Sequence, residues 1–431
     1  MRRITGLVGV LKKFAADRRG GAAIMMGLVT PMSLGFGALG VEATHWYMAK
    51  RELQSVVDAA ALSGAIALAN GMTATQAEAI AEANATRNDY TPGAGDTVTY
   101  ASPPTSGAFA GDLRATEAII LQEQEVILLG ALGRSATRIR ARAVAMNIGG
   151  GEHCIIGLDP TMEGGVEFSG TADALVGCGV AANSNDDKAL MVNGNAELTA
   201  DPAAAVGDIY VGGSAQLVTQ NPPQPLSPPT PDPYGPEGAN LQIPANPVAC
   251  TATNLMVNGT ATLDPGRYCG GITANGGADI TFNPGTYIMD GGEFKTNGGA
   301  SLTGTDVTFA LTGSGTDYAQ VDVSGGTVAD LSAPTGGEFS GILFFQDPNA
   351  PSFQGGNLKT NRFLGGATAD LTGVLYFPSQ EVLFTGGVDS MTNCLHLIAR
   401  KVTITGSAVI QNNCAGTGVD PVMSVLVRLV E

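Results

Sequence analysis

"ANGGADITFNPGTYIMDGGEFKTNGGASLTG" (Ala274–Gly304) holds two copies of one pattern. A small residue is followed by Asn-Gly-Gly-Ala and then by strict alternation, as in Asp279-Ile280-Thr281-Phe282. Alternation of period two marks a strand, and asparagine or glycine supplies the positive φ of a tight corner. Related copies are "FSGTADAL" from Phe168, "VNGNAELT" from Val192, "VGGSAQLV" from Val211, "VNGTATLD" from Val257 and "ITGSAVIQ" from Ile404. Ala172, Ala196 and Ala215 follow one another at a nearly even spacing, and so do Ala261, Ala278 and Ala300. A period near twenty built from short strands and turns is expected of stacked coils. Residues 151–431 are therefore expected to form an all-β, right-handed parallel β-helix-like domain, with an antiparallel β-sandwich or jelly roll as the competing fold. Ile280, Phe282, Tyr287 and Ile288 are candidates for its interior.

Working outward, the regular spacing breaks at "NPPQPLSPPTPDPYGPEG" (Asn221–Gly238). Proline has no N–H for a ladder, so an insertion at about 220–249 is expected to loop out. The terminal "SVLVRLVE" (Ser424–Glu431) reads as a strand closing the end of the stack.

Six cysteines, Cys154, Cys178, Cys250, Cys269, Cys394 and Cys414, all fall in this glycine-rich part. An even number in an oxidising compartment suggests three disulfides. They group as local pairs along the chain, so sequential neighbours are the expected partners. No C-x-x-C motif occurs and the three histidines are scattered, so no metal site is expected. There is no G-x-S-x-G, H-E-x-x-H or phosphate-binding loop, and no compact carboxylate pair beside a base. The expectation is a protein without catalytic residues or cofactor; a polysaccharide lyase or hydrolase is the enzymatic alternative. A net charge of −17 argues against nucleic acid as a partner.

Before the repeats, residues 91–150 read as a small α+β module. "TVTYA", "RATEAIILQEQ" and "ATRIRARAVAMNI" are its strands, with a short helix at "EVILLGALG" (Glu125–Gly133). Residues 42–90 read as membrane-proximal helices, the second at 72–88. Gly20–Val41 is a run of 22 residues without an ionisable group. As a helix it is about 33 Å long, enough to cross a hydrocarbon layer of about 30 Å. Thr30 and Ser33 flank Pro31, and Ala23/Gly27 and Ser33/Gly37 are small pairs suited to a second helix. Residues 1–19 are basic and expected to be cytoplasmic. Within them Ile4, Leu7, Leu11 and Phe14 recur at helical spacing. Arg18 and Arg19 precede the span, while Glu42, Trp46 and Tyr47 follow it, at the positions of membrane-interface residues. The positive-inside rule then places the C-terminal bulk in the periplasm or outside the cell.

The stretch from Arg18 to Ala65 resembles the N-terminal signature of TadG-like proteins of the tight-adherence (Flp) pilus system. Glu42, Trp46, Tyr47, Arg51, Leu53, Gln54, Asp58, Ala59, Ala60, Ala61, Leu62, Gly64 and Ala65 carry it. "PGRYCGGIT" (Pro265–Thr273) is similar to the C-terminal part of some relatives. The position five residues past Gly20 is Met25, not the glutamate of processed pilins, and the D-x-S-x-S site of members with a von Willebrand A domain is absent. The resemblance implies a single-pass bacterial inner-membrane protein serving pilus assembly or anchoring, with other pilus-system membrane proteins as partners. An exported adhesin or glycan-binding protein is the second reading.

Overall fold

Alanine, leucine and methionine, all good helix formers, recur through Arg19–Ala69, and the whole 51-residue stretch is one helix, α1, with Pro31 inside it. The structure, a computed structural model, describes residues 19–127, 136–245, 248–323, 325–364, 368–385, 388–392, 394–406, 408–410, 412–424 and 426–431. The chain divides into two units, one of residues 1–148 with 427–431, the other of residues 149–426.

In the first unit, α2 (Ala74–Arg87) starts at a capping box. The Gln76 N–H donates to Thr73 Oγ1, and the Thr73 N–H to Gln76 Oε1 at 2.9 Å. Ala77, Ala81 and Ala85, spaced by four, are its buried face. Strands β1 (Thr97–Ala101), β2 (Ala115–Glu125) and β3 (Ala136–Gly149) form an antiparallel sheet, with Val98 opposite Ile120 and Ile120 opposite Ala141. The helix expected at Glu125–Gly133 falls largely on residues 128–135, outside the described residues. The core joins Leu53, Val57, Ala60, Ala61 and Ala65 of α1 to Ala81, Ala118, Ile120 and Ala143. Small side chains let helix and sheet approach: a Cβ on Gly64 would meet Thr116 Cγ2 at 2.6 Å.

The fourth strand of this sheet is Leu426–Leu429, beside β3. The Val430 N–H donates to Val144 O at 2.8 Å, and the Val144 N–H to Glu431 O at 2.9 Å. This corrects the expectation that the C-terminal strand closes the repeat stack. The free edge of β3 offers it unpaired backbone groups, and Val427 packs against the alanine-rich core.

The second unit is mostly β, and its long ladders are parallel, unlike those of a sandwich or jelly roll. One inward line of register partners runs Val257–Ala274–Thr296–Val323–Phe363–Phe384–Ile404–Phe168–Val192–Val211. Among the described residues, each of its ten members lies in one rung of parallel strands, here called a coil. Spatial order is therefore not chain order. Residues 252–410 supply the first seven coils, and residues 152–218 supply the last three, stacked on the seventh. A third side carries Ala261–Ile280–Leu302–Ala329 at one end and Ala174–Leu198–Leu217 at the other.

Aromatic side chains fill part of the interior. Phe309 stacks on Phe344 at 5.0 Å, Phe294 lies 4.7 Å from Phe309, and Phe282 meets Tyr287 edge-on at 5.1 Å. Such pairs add about 0.5–1.5 kcal/mol each beyond area burial. The Asn-Gly of the repeat has a structural use: Asn275 Nδ2 donates to Asn258 Oδ1 at 2.6 Å, and Asn297 Nδ2 to Asn275 Oδ1 at 3.0 Å. Beside this amide ladder, Gly277 and Gly299 turn the chain at φ +77° and +84°.

The proline-rich segment does not loop out. Gln224 pairs in parallel with Ala204. Thr230 and Asn183 exchange two hydrogen bonds of 2.8 Å. Asp232 accepts from Tyr376 Oη at 2.9 Å, and Tyr234 meets the Tyr376 ring edge-on at 5.2 Å. Leu241 and Ile243 pack on the cluster of Ile342 and Phe345, and Arg267 donates to Ala245 O at 3.3 Å. The segment is a packed strap returning the chain from the tenth coil to the first. Nine intervals of about 4.8 Å make roughly 43 Å, which a polyproline-like chain at about 3.1 Å per residue covers in about 14 residues. Proline suits this path because an extended strap needs no ladder N–H.

Candidate functional site

From Met25 to Val41 the large apolar side chains of α1 are exposed, and its second half is packed. Met25, Met26, Leu28, Val29, Met32, Leu34, Phe36, Leu39 and Val41 are 48–74% exposed, whereas Leu53, Val57, Ala60, Ala61 and Ala65 are buried. At about 1.5–3 kcal/mol for each large apolar side chain, covering those nine is worth roughly 14–27 kcal/mol. An exposed apolar surface of this extent is the kind that a bilayer or partner helices cover. The helix is long and apolar enough to cross a membrane and is compatible with a single-pass anchor.

Of the residues expected at the interface, Arg18 lies outside the described residues and Arg19 begins α1. Glu42 is fully buried, Tyr47 is 68% exposed, and Trp46 packs on the core of the first unit. Trp46 thus has a packing role that its sequence position did not disclose. Gly27 and Gly37 face open space, Ser33 is exposed, and the side chain of Ala23 is outside the described residues.

Where α1 reaches the sheet, polar contacts hold it. Lys50 Nζ donates to Arg140 O, and Gln54 Nε2 to Arg142 O at 2.9 Å and Asp58 Oδ1 at 2.7 Å. Below them Glu117, fully buried, accepts from Thr105 N at 2.9 Å, Thr105 Oγ1 at 2.7 Å, Ser106 Oγ at 2.8 Å and Arg142 Nε at 2.7 Å. Burial alone would raise its pKa, but these four donors outweigh it and hold the carboxyl at about 2. Arg142 also pairs with Glu431, so a carboxylate just past the last strand joins the cluster.

In the second unit the cystines are Cys154–Cys178, Cys250–Cys269 and Cys394–Cys414, with Cα atoms 5.9, 5.7 and 4.8 Å apart. His153 and His396 stand beside two of them, both fully buried. His153 Nε2 lies 2.6 Å from Ser424 Oγ, and His396 Nε2 lies 3.1 Å from Asn412 Oδ1. Burial lowers both, His153 to about 4, so both are neutral at pH 7. Among the described residues no group of three or more His, Cys, Asp or Glu side chains is placed to hold a metal ion.

One cleft interrupts the coil face. The regular period stretches between Ser301 and its register partner Val328, and further between Val328 and its partner Thr368. A hairpin occupies each excess: Gly313–Ser314 pairs with Asp317–Tyr318, and Phe353–Gln354 with Asn357–Leu358. Ser379 Oγ donates to Pro348 O at 2.7 Å, Gln380 Nε2 to Pro351 O at 2.9 Å, and Arg400 Nη1 to Ser352 Oγ at 3.0 Å, fixing the second hairpin. A cavity of about 270 Å³ lies against it, lined by Glu293, Gln320, Asp322, Gln354, Asn357, Thr360 and Arg362. Its floor is held by buried Asn361, which accepts from Val321 N at 2.9 Å and donates to Gln380 Oε1 at 3.1 Å. Lys295 bridges Glu293 and Asp322 at 3.2 and 3.0 Å. No single motif marks these residues; the readable signal was the broken period.

Residues 20–67 match the family model described as putative Flp pilus-assembly TadE/G-like. This segment contains the bare span and the packed half of α1 almost to its end. No curated protein and no solved structure matches the chain.

Proposed function

We propose that this chain, whose N-terminal segment is TadE/G-like, is a structural, non-enzymatic component of Flp/Tad-type pilus assembly or anchoring in the bacterial inner membrane. On this reading the basic N-terminus is cytoplasmic, α1 crosses the bilayer once, and both folded units lie in the periplasm or beyond. The second unit is a right-handed parallel β-helix that acts as a rigid spacer or docking surface. The observation carrying the reading is the division of α1: an apolar half whose large described side chains are exposed and an alanine-rich half built into a folded module, both within the TadE/G-like segment. Ser33 and Gly37, four residues apart and exposed, offer a small-residue face to which pilin-like membrane helices would pack. Photo-crosslinkers at Ser33 and Gly37 in cells test this: adducts with pilus-system membrane proteins are expected. Their absence, or protection of the second unit from protease in spheroplasts, would overturn it.

The cleft beside Phe353–Leu358 favours a second reading, an adhesin-like role in which the second unit binds a glycan. Amides, a hydroxyl and charges of both signs in one groove suit a polyhydroxylated ligand better than an apolar one. A glycan array probed with the full chain in nanodiscs, compared with Arg362→Ala and Gln320→Ala, separates the two readings.

A further inference from the structure

The ten-coil stack is open at both ends. Among the described residues, Ile209–Val211 and Gln216–Val218 pair only with the coil on one side, and Ala252–Val257 and Thr260–Leu263 only with the coil on the other. Natural proteins block such edges with charge, proline or a covering element. These four strands read IYV, QLV, ATNLMV and TATL, with no charged residue and no proline. Positions that are buried in inner coils are open here. Ile209, Leu217, Leu255 and Ala261 are only partly buried, and Val211 is 44% exposed. A cavity of about 530 Å³ lies over Ile209, Val211 and Leu217.

We propose that the two ends bind each other between copies, so that the chain associates head to tail with itself. One end lacks a following coil and the other a preceding one, so a parallel ladder continues across the contact with its polarity unchanged. Val211 and Val257 are the two ends of the same inward line, and a second copy places its Val257 in register with Val211. Ile209 then lies over Leu255 and Leu217 over Ala261, apolar on apolar at each step. None of the four edge strands itself carries a charged residue. The contact repeats a junction the fold already contains: Ile404 on Phe168, where two remote segments stack through the same ladder. The remaining side of the upper coil is covered by Gln224 on Ala204, so two of three sides are engaged. The connections to the first unit, at Glu152 and Met423, pair in the eighth coil, so of the chain's connections only the strap of residues 219–251 meets the two ends. A contact between unlike surfaces does not close on itself and grows in line.

The test uses full-length protein held at one chain per nanodisc, so that membrane helices cannot associate. Sedimentation over a range of concentrations is expected to show dimers and longer linear species. Val211→Glu blocks one end and Leu255→Glu the other, and each variant alone is expected to associate at least about tenfold more weakly. Mixed together they retain one intact end each and are expected to form a 1:1 dimer that goes no further, which also shows that both are folded. A wild-type protein that stays monomeric throughout, or association that both variants leave intact, overturns the proposal.

Discussion

Ile404 and Phe168 are register partners in one parallel ladder although they belong to chain segments remote from each other in sequence. The last coil of one chain segment is thus the support for the first coil of another, and only the strap of residues 219–251 links the outer ends. If the ladder and the apolar interior hold this junction, the strap's covalent continuity is dispensable once the unit has folded. A protease site inserted in the exposed stretch Pro236–Gly238 is expected to be cut without separating the halves under non-reducing, native conditions. Gel filtration of the nicked protein checks this. Two separate fragments would mean that the junction is too weak to define one unit.

The aromatic core of the second unit is expected to be sensitive to truncation. Phe344 is fully buried and touches Phe294, Phe309, Phe363 and Phe377. Phe344→Ala should cost about 3–5 kcal/mol, measured as a shift in denaturation midpoint, against about 1.5 kcal/mol or less for Phe344→Leu if the neighbours repack.

Glu117 makes the first unit acid-sensitive. Its folded pKa is about 2, below the ordinary value of 4.5. The ionised form is the stabilising one, so the contribution is complete above about pH 4.5 and is lost as pH falls toward 2. The shift corresponds to about 3 kcal/mol. Glu117→Gln should flatten the stability profile in that window, and leave Arg142 with Glu431 as its remaining carboxylate. A variant with the wild-type slope across that window would remove Glu117 as the cause.

The two buried histidines act in a different window. Both are neutral in the folded protein because burial opposes their charge, and His153 is held at about 4. Between the ordinary histidine value near 6.5 and about 4, the unfolded chain binds more protons, so the second unit loses stability as pH falls through that range. Calorimetry at about pH 5 in buffers of different ionisation enthalpy should detect about one proton taken up on unfolding from His153, and further uptake in the same direction from His396. No uptake would show that the histidines are charged or solvated in the native state.

Each cystine closes a short loop, with sequence separations of 24, 19 and 20. Loops of this size are worth about 3 kcal/mol apiece in the chain-entropy account. Cys250→Ser with Cys269→Ser should loosen the first coil, read as faster amide exchange at Ala252–Val257 while the aromatic core stays protected. Non-reducing peptide mapping should return the three local pairs; any crossed pair would contradict the coil order.

Local features of this protein were determined by its sequence alone. The uncharged run Gly20–Val41, the alternation around Ile280 and Phe282, and the Asn-Gly corners act within one helix or one coil. Their physics is nearest-neighbour, so spacing in the chain reports them. Tertiary structure decided what depends on surfaces meeting: the stacking of Phe168 on Ile404, the strap's path past Tyr376, the C-terminal strand beside β3, and Glu117 against Arg142. The repeat makes every coil a chemically similar partner for every other, so its pattern carries no order. Which coil stacks on which follows from where the strap lets the chain return, and a free strand edge accepts whatever backbone the folded unit brings to it.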